Sequence, residues 1–315
     1  MSSELPPPLF LTGPTATGKS ELAVLCAELL RGEIISVDSM QVYRGLDIGT
    51  AKPSAEQRAR LPHHLIDCCE LHESFDAACF VKMARTACQQ IQRRGSVPIF
   101  CGGTGFYLKA YFDGLGDAPG ADPKLRVELE QLSPEQLLAE IQVRDPALYE
   151  RMDRNNPRRL IRAVEVIRLT GRPFSEQRAP WTHSWGNGVK PLLIGFSRGR
   201  DELVARIDLR VEEMFRRGLV AETESLLGRG LEKNRAAMQA LGYRQVVEFL
   251  KGKGSLAETI ELVKIKTRQF AKRQLTWFRR QLDVEWIDPR KQTPKEIAEL
   301  CSARYEAART ARFPQ

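Results

Sequence analysis

The chain has 315 residues, 42% of them hydrophobic and 28% charged, an ordinary globular composition with room for roughly two domains or one large domain carrying an insertion. Its formal net charge of +8 is a modest basic excess compatible with a polyanionic partner. No run of about 18 apolar residues occurs, so no membrane-spanning helix is expected; nor do Met1 to Pro8 show the basic start and apolar stretch of a secretory signal. Seven cysteines without a Cys-x-x-Cys spacing, and four histidines of which His63 and His64 are adjacent, argue against a disulfide framework or a zinc site. Reduced thiols and a cytoplasmic location are the expectation.

Leu9–Thr12 is a short apolar run that stops at a Gly/Pro turn, and Ser20–Leu30 has helical apolar spacing: strand, loop, helix. Three more near-continuous apolar runs follow. They are Ile34–Val37, ending at Asp38; Val97–Cys101, ending at Gly102-Gly103-Thr104-Gly105; and Leu192–Phe196, before Ser197-Arg198. Unbroken apolar strands separated by helical stretches predict a parallel sheet covered by helices on both faces. From Asp117 to Gln177 the chain is charged and helical, with Pro119-Gly120, Gly171 and Pro173 at its edges, and reads as an insertion. After Arg200 the pattern predicts helices to the C-terminus. The expected fold is α/β, a P-loop NTPase-like parallel sheet with flanking helices. Residues 1–116 and 186–315 form the core with a helical C-terminal part, and residues 117–185 form a helical insertion domain.

Gly13-Pro14-Thr15-Ala16-Thr17-Gly18-Lys19-Ser20 matches G-x-x-x-x-G-K-[ST] in full. The glycines let backbone N–H groups turn inward around phosphate oxygens, and the following helix N-terminus favours an anion. Lys19 is placed as a point charge for the terminal phosphate, and the Ser20 hydroxyl as a ligand for Mg²⁺. This motif identifies a phosphate chain but not its owner, and a kinase is the obvious first reading. Asp38 ends a strand where open α/β sheets place their ligands. It can hold Mg²⁺ through water, act as a general base, or cap a following helix. The glycines of Gly102–Gly105 permit a close approach, which would set Thr104 beside the P-loop; a plain tight turn explains them nearly as well. Adjacent histidines on a strand point to opposite faces, so His63 and His64 read as structural. Lys264–Arg280 contains seven basic residues and no acid, a candidate face for nucleic acid or simply a solvated helix.

Taken together, several blocks resemble the bacterial tRNA dimethylallyltransferase (tRNA isopentenyltransferase) family. They are the P-loop, Asp38-Ser39-Met40-Gln41-Val42-Tyr43-Arg44, Asp47-Ile48-Gly49-Thr50-Ala51-Lys52-Pro53, Pro62-His63-His64-Leu65-Ile66-Asp67 and Gly102–Gly105. Asn156-Pro157-Arg158-Arg159-Leu160-Ile161-Arg162-Ala163-Val164-Glu165-Val166, Gly242-Tyr243-Arg244 and Arg268–Arg279 complete the set. The resemblance implies transfer of a dimethylallyl group from dimethylallyl diphosphate to N6 of adenine 37, beside the anticodon of tRNAs that read codons beginning with U. It makes the tRNA anticodon stem-loop the partner; Mg²⁺ at the P-loop is the expected cofactor, and a monomer is the expected state. Gly13 to Ser20 would then hold the diphosphate, with Lys19, Asp38 and Thr104 catalytic and Arg217 a second cation for the donor. Asp38, Ser39, Met40, Gln41, Thr104 and Arg244 would meet the anticodon loop, with Gly242-Tyr243 offering an aromatic face. From the insertion the RNA contacts would be Arg126, Arg158, Arg159, Arg162, Ala163, Val164, Glu165 and Val166. Lys272, Arg273, Trp277, Arg279 and Arg280 would follow the phosphate backbone. Two other classes compete: a small-molecule or nucleotide kinase, and an RNA-binding protein with a vestigial P-loop.

Overall fold

A computed structural model of the chain describes residues 5–179, 181 and 190–312. In chain order the elements are β1 (Leu9–Thr12), α1 (Lys19–Leu30), β2 (Gly32–Val37), α2 (Ala55–Arg60), β3 (His63–His64), α3 (Ala77–Arg93), β4 (Val97–Gly102) and α4 (Gly105–Asp113). Next come α5 (Pro123–Leu129), α6 (Pro134–Arg144), α7 (Pro146–Arg151), α8 (Pro157–Thr170) and α9 (Phe174–Gln177). The chain continues through β5 (Leu192–Phe196), α10 (Arg200–Arg216), α11 (Leu219–Gly228), α12 (Tyr243–Leu250), α13 (Leu256–Gln281), β6 (Glu285–Ile287) and α14 (Pro294–Arg312). Contacts divide it into two compact units, Met1–Tyr111 with Asn187–Gln315, and Phe112–Gly186.

The larger unit is built on a parallel sheet in the order β3-β2-β4-β1-β5-β6. Every residue of β1, β2 and β4 is buried, as expected for strands covered on both faces. Side chains alternate between those faces. Leu9 and Leu11 join Leu22, Ala23 and Cys26 of α1 and Ile297, Ala298 and Cys301 of α14 in one cluster. Phe10 points the other way and stacks on Phe100, ring centroids 4.7 Å apart. The register aligns Thr12 with Gly102, and Gly102 with Val37. Three strands therefore end level, and Gly13, Asp38 and Gly103 emerge side by side at the carboxyl edge of the sheet, where this architecture binds ligands.

The P-loop NTPase-like α/β fold is the one expected, with two strands added. β3 is a two-residue strand at the sheet edge, paired with β2 through His63 and His64. β6 corrects the expectation of an all-helical C-terminal part: Glu285, Trp286 and Ile287 pair in parallel with β5. Three residues, one of them charged, are too short to give an apolar run that the sequence pattern can separate from a loop. His63 and His64 do play structural parts. His64 Nε2 lies 2.7 Å from Glu33, and His63 Nδ1 lies 3.0 Å from the Leu61 carbonyl.

The smaller unit is helical, and its helix starts are written into the sequence. Asp122-Pro123, Ser133-Pro134, Asp145-Pro146 and Asn156-Pro157 each place a capping side chain before a proline in the first turn. Leu129, Leu137, Ile141, Leu148, Leu160, Ala163 and Val164 form its core. Beside them the fully buried Glu165 accepts hydrogen bonds from the Arg126 guanidinium (2.8 and 3.1 Å), from Arg162 Nη1 (2.7 Å) and from the Asp122 amide (2.9 Å). Burial pushes the Glu165 carboxyl up, and Arg126, Arg162 and the Asp122 amide more than offset it, holding it below the usual carboxylate range. The helical stretch expected from Asp117 to Gln177 lies in this unit; its expected limit at residue 185 falls outside the described residues. Among the described residues no helix is long and apolar enough to cross a membrane.

Candidate active site

The loop between β1 and α1 has the shape its sequence predicts. Ala16 (φ 64°) and Gly18 (φ 94°) both take left-handed backbone, the alternation that turns successive amides toward one centre. The amides of Ala16, Thr17, Gly18, Lys19 and Ser20 donate no hydrogen bond among the described residues. Neighbouring groups are occupied. Thr17 Oγ1 donates to the Pro14 carbonyl at 3.0 Å, and Lys19 Nζ reaches the same carbonyl at 3.1 Å. The result is a concave set of free donors at a helix N-terminus, an anion site by construction.

Two arginines that follow β5 in the chain hold the loop by its carbonyls. Arg198 Nε donates to the Thr17 carbonyl (3.0 Å) and pairs with Glu202, and Arg206 Nε donates to the Ala16 carbonyl (2.8 Å). A cleft of about 350 Å³ opens over the loop, lined by Ala16, Gly18, Lys19, Ser20, Glu21, Arg206, Leu209 and Arg210. Burial lowers the Lys19 pKa to about 8; Arg210 adds to that shift, while Cys101 and Asp38 oppose it. The Arg210 pKa is likewise lowered by burial and supported by the Asp38 charge.

Arg217, the expected second cation, ends α10 as its exposed C-cap residue. It lies two helical turns beyond Arg210, about 10 Å along the axis, and is not among the cleft's lining residues. Besides Lys19, the cations that line this cleft are Arg206, which also holds the Ala16 carbonyl, and Arg210. Sequence spacing carried the signal, since Arg206 and Arg210 are four apart and share a helix face.

Asp38 and Thr104 come together as expected. Thr104 Oγ1 accepts from the Ser39 amide at 3.3 Å, and the Thr104 amide donates to Val37 at 3.2 Å. Asp38 Oδ1 accepts from the amides of Met40 (2.8 Å) and Gln41 (3.3 Å), so this carboxylate caps a turn, not a helix. Its Oδ2 accepts no hydrogen bond among the described residues, which leaves one oxygen for a substrate. Gln274 of α13 was not anticipated. Its Oε1 accepts from the Thr15 amide (3.0 Å) and its Nε2 donates to the Gly103 carbonyl (2.9 Å).

For Mg²⁺, the described residues contain no group of three His, Cys, Asp or Glu side chains able to hold a metal. Ser20 is exposed in the first turn of α1 and lines the cleft. An oxygen donor set completed by phosphate oxygens and water suits Mg²⁺, which seldom uses an all-protein cage.

The expected RNA-contacting residues separate into exposed and buried sets. Ser39 and Met40 are half-buried at the site; Gln41 uses its amide on Ser36, Thr50 and Ala51 and so ties its own loop. Tyr243 is fully buried against Gly49 and donates to Glu222 at 2.6 Å, so it offers no aromatic face. Ala163, Val164, Glu165 and Val166 are fully buried in the smaller unit; their side chains are core and present no surface. Arg126 and Arg162 are engaged by Glu165, whereas Arg158 and Arg159 are exposed.

Along α13 two of the seven basic residues are neutralised. Lys264 pairs with Glu212 and Glu261, and Arg268 with Asp208. Lys266, Lys272, Arg273, Arg279 and Arg280 remain exposed. Lys266, Phe270, Arg273 and Trp277 follow one another at four, three and four residues, a single stripe. Trp277 ends that stripe half-buried against Gly105, where an added Cβ would lie 2.2 Å from its ring. Exposed Arg244 sits beside Glu248 at 3.4 Å.

A model of the IPP transferase family matches residues 41–281. The chain belongs to that family. It is 42% identical to a protein of Geotalea uraniireducens named tRNA dimethylallyltransferase 2, over 93% of this chain and 94% of that one. Among solved structures it resembles the full-length tRNA isopentenylpyrophosphate transferase of Bacillus halodurans, with TM-score 0.70 and 37% identity over 98% of this chain and 99% of that one. A eukaryotic dimethylallyltransferase described as acting on tRNA superposes with TM-score 0.75 at 26% identity, covering 97% of this chain and 78% of that one. Family membership removes the kinase reading of the P-loop.

Proposed function

We propose that this enzyme transfers the dimethylallyl group of dimethylallyl diphosphate to N6 of adenine 37 in tRNAs reading codons that begin with U, releasing diphosphate. It acts as a monomer in the cytoplasm. The observation that carries the reading is a nest of free amides whose cations Lys19 and Arg210 both feel the charge of Asp38, a carboxylate that keeps one oxygen available. The donor's diphosphate takes the amides of Ala16 to Ser20, with Lys19 and Arg210 as cations. Ser20 would hold Mg²⁺ together with the diphosphate oxygens, and Asp38 would reach it through water; the ion supplies additional neutralisation of the leaving group.

An exocyclic adenine amine is a weak nucleophile because its lone pair is delocalised into the ring. Asp38 Oδ2 accepts the N6 proton as the new C–N bond forms at the allylic carbon, and the Thr104 hydroxyl orients the amine. The C–O bond to diphosphate breaks, and its electron pair stays on the leaving oxygen. Preorganised amides and cations stabilise the charge that collects there. The base must leave its stack to enter the cleft, and loops of RNA allow this readily. The exposed cations of α13 and Arg158 and Arg159 take RNA phosphates.

The test offers an anticodon stem-loop RNA with either dimethylallyl diphosphate or ATP and follows the RNA by mass spectrometry. Prenylated RNA is expected only with the first, and its yield should fall by about 10²–10⁴-fold for Asp38→Asn with RNA binding retained. Phosphate transfer from ATP without prenylated RNA would overturn the proposal.

A further inference from the structure

The nest and the Thr104 turn are joined by one side chain that belongs to neither. Gln274 is 9% exposed, and its amide is used at both ends: Oε1 accepts from Thr15 N–H, and Nε2 donates to the Gly103 carbonyl. Reversing the amide would set N–H against N–H and oxygen against oxygen, so its orientation is fixed by its partners. An added Cβ on Gly103 would lie 2.3 Å from Nε2, which makes that glycine the opening through which the side chain arrives. Beyond Gly103 the line continues to Thr104, whose hydroxyl holds the amide of Ser39, the residue after the proposed base. On the other side Thr15 precedes the free amides of the nest, and its own N–H is withdrawn from the anion.

We infer that Gln274 is a positioning residue for the transfer step, fixing the distance between the diphosphate nest and the edge that carries Thr104 and Asp38. It touches neither substrate, and the inference rests on the transfer reaction proposed above. Holding α13 in place does not require it. Trp277 and Phe278 pack on Gly105, and Val263 and Ala271 are buried in a cluster with Ala16, Ile207 and Val211. Loss of the bridge therefore leaves the helix docked and lets two catalytic segments drift apart. Misplacement by about 1 Å costs on the order of 10²-fold in rate.

Three variants of the full chain test this with steady-state kinetics, RNA affinity by fluorescence anisotropy and thermal unfolding. Gln274→Leu is expected to lower kcat by about 10²-fold with RNA affinity and Tm near those of the wild type. Gly103→Ala, which displaces the amide from the opposite side, should give the same pattern. Gln274→Glu discriminates further. An ionised carboxylate repels the Gly103 carbonyl, whereas the protonated form can donate to it. Its activity relative to wild type should therefore recover as pH falls into the carboxylate range, while Gln274→Leu shows no such recovery. A wild-type kcat in Gln274→Leu, parallel losses of kcat, RNA affinity and Tm, or a Glu variant indifferent to pH would each overturn the inference. A wild-type enzyme that forms no prenylated RNA would instead overturn the proposed reaction.

Discussion

Raising the pH should disable donor capture through Lys19. Burial is the largest reason its pKa falls from 10.5 to about 8, with Arg210 adding to the shift and Cys101 and Asp38 resisting it. Capture needs the ammonium, so the sign is fixed: the competent form prevails below about 8 and disappears above it. One unit below the pKa roughly nine-tenths of the molecules are charged, and one unit above roughly one-tenth. At donor concentrations below KM, where rates report the free enzyme, kcat/KM for the donor should be level at neutral pH. Above about 8 it should fall tenfold per unit. A bound diphosphate raises the lysine pKa by opposite charge, so kcat should persist to higher pH than kcat/KM does. Lys19→Met should lose about 10²–10³-fold in kcat and lose the inflection with it. Initial rates of RNA prenylation across the pH range supply the measurement. An inflection near the same pH in Lys19→Met, or none in the wild type, refutes this account of the cleft.

Replacing Arg210 by Ala removes a charged contact worth about 1.5–3 kcal/mol, so donor KM should rise roughly 10- to 100-fold, well beyond the effect of Arg217→Ala; equal effects would put Arg217 back among the donor's cations. Glu165→Ala leaves the Arg126 and Arg162 guanidinium groups and the Asp122 amide without their shared acceptor. Both arginines stay partly in water, so urea unfolding should show a loss of about 1.5–3 kcal/mol, and an unchanged midpoint would mean that Glu165 does not stabilise the smaller unit.

What the sequence made legible follows from locality. Parallel strands covered on both faces appear as unbroken apolar runs, so β1, β2, β4 and β5 were readable, and with them the strand-end positions of Asp38 and Thr104. The three-residue β6 offered no such run. Partners brought together by helix packing were hidden. Gln274 meets Thr15 across 259 positions, and Arg206 meets Ala16 across 190. The uninterrupted basic tract of α13 also read as more available than it is, because Asp208 and Glu212 on α10, and Glu261 one turn before the tract, neutralise two of its cations. Tyr243 failed for a related reason. An aromatic with a hydroxyl suits either a stacking face or a buried hydrogen bond, and only the position of Glu222 decides between them.

The same long-range contacts explain how a strained loop is ready before its ligand arrives. Ala16 is not a glycine, yet it occupies left-handed backbone, at a cost of about 1 kcal/mol or more. A loop left to itself would relax that residue and scatter the amides. Here the Ala16 and Thr17 carbonyls are taken by Arg206 and Arg198, and the Thr15 amide by Gln274. With those carbonyls and that amide engaged, the amides of Ala16 to Ser20 are left as the loop's free donors among the described residues. Two of the three clamps are cationic, so they also raise the positive potential where the diphosphate is to sit. Donor binding energy is then free to act on the leaving group, because the loop has been ordered by contacts made when the protein folded.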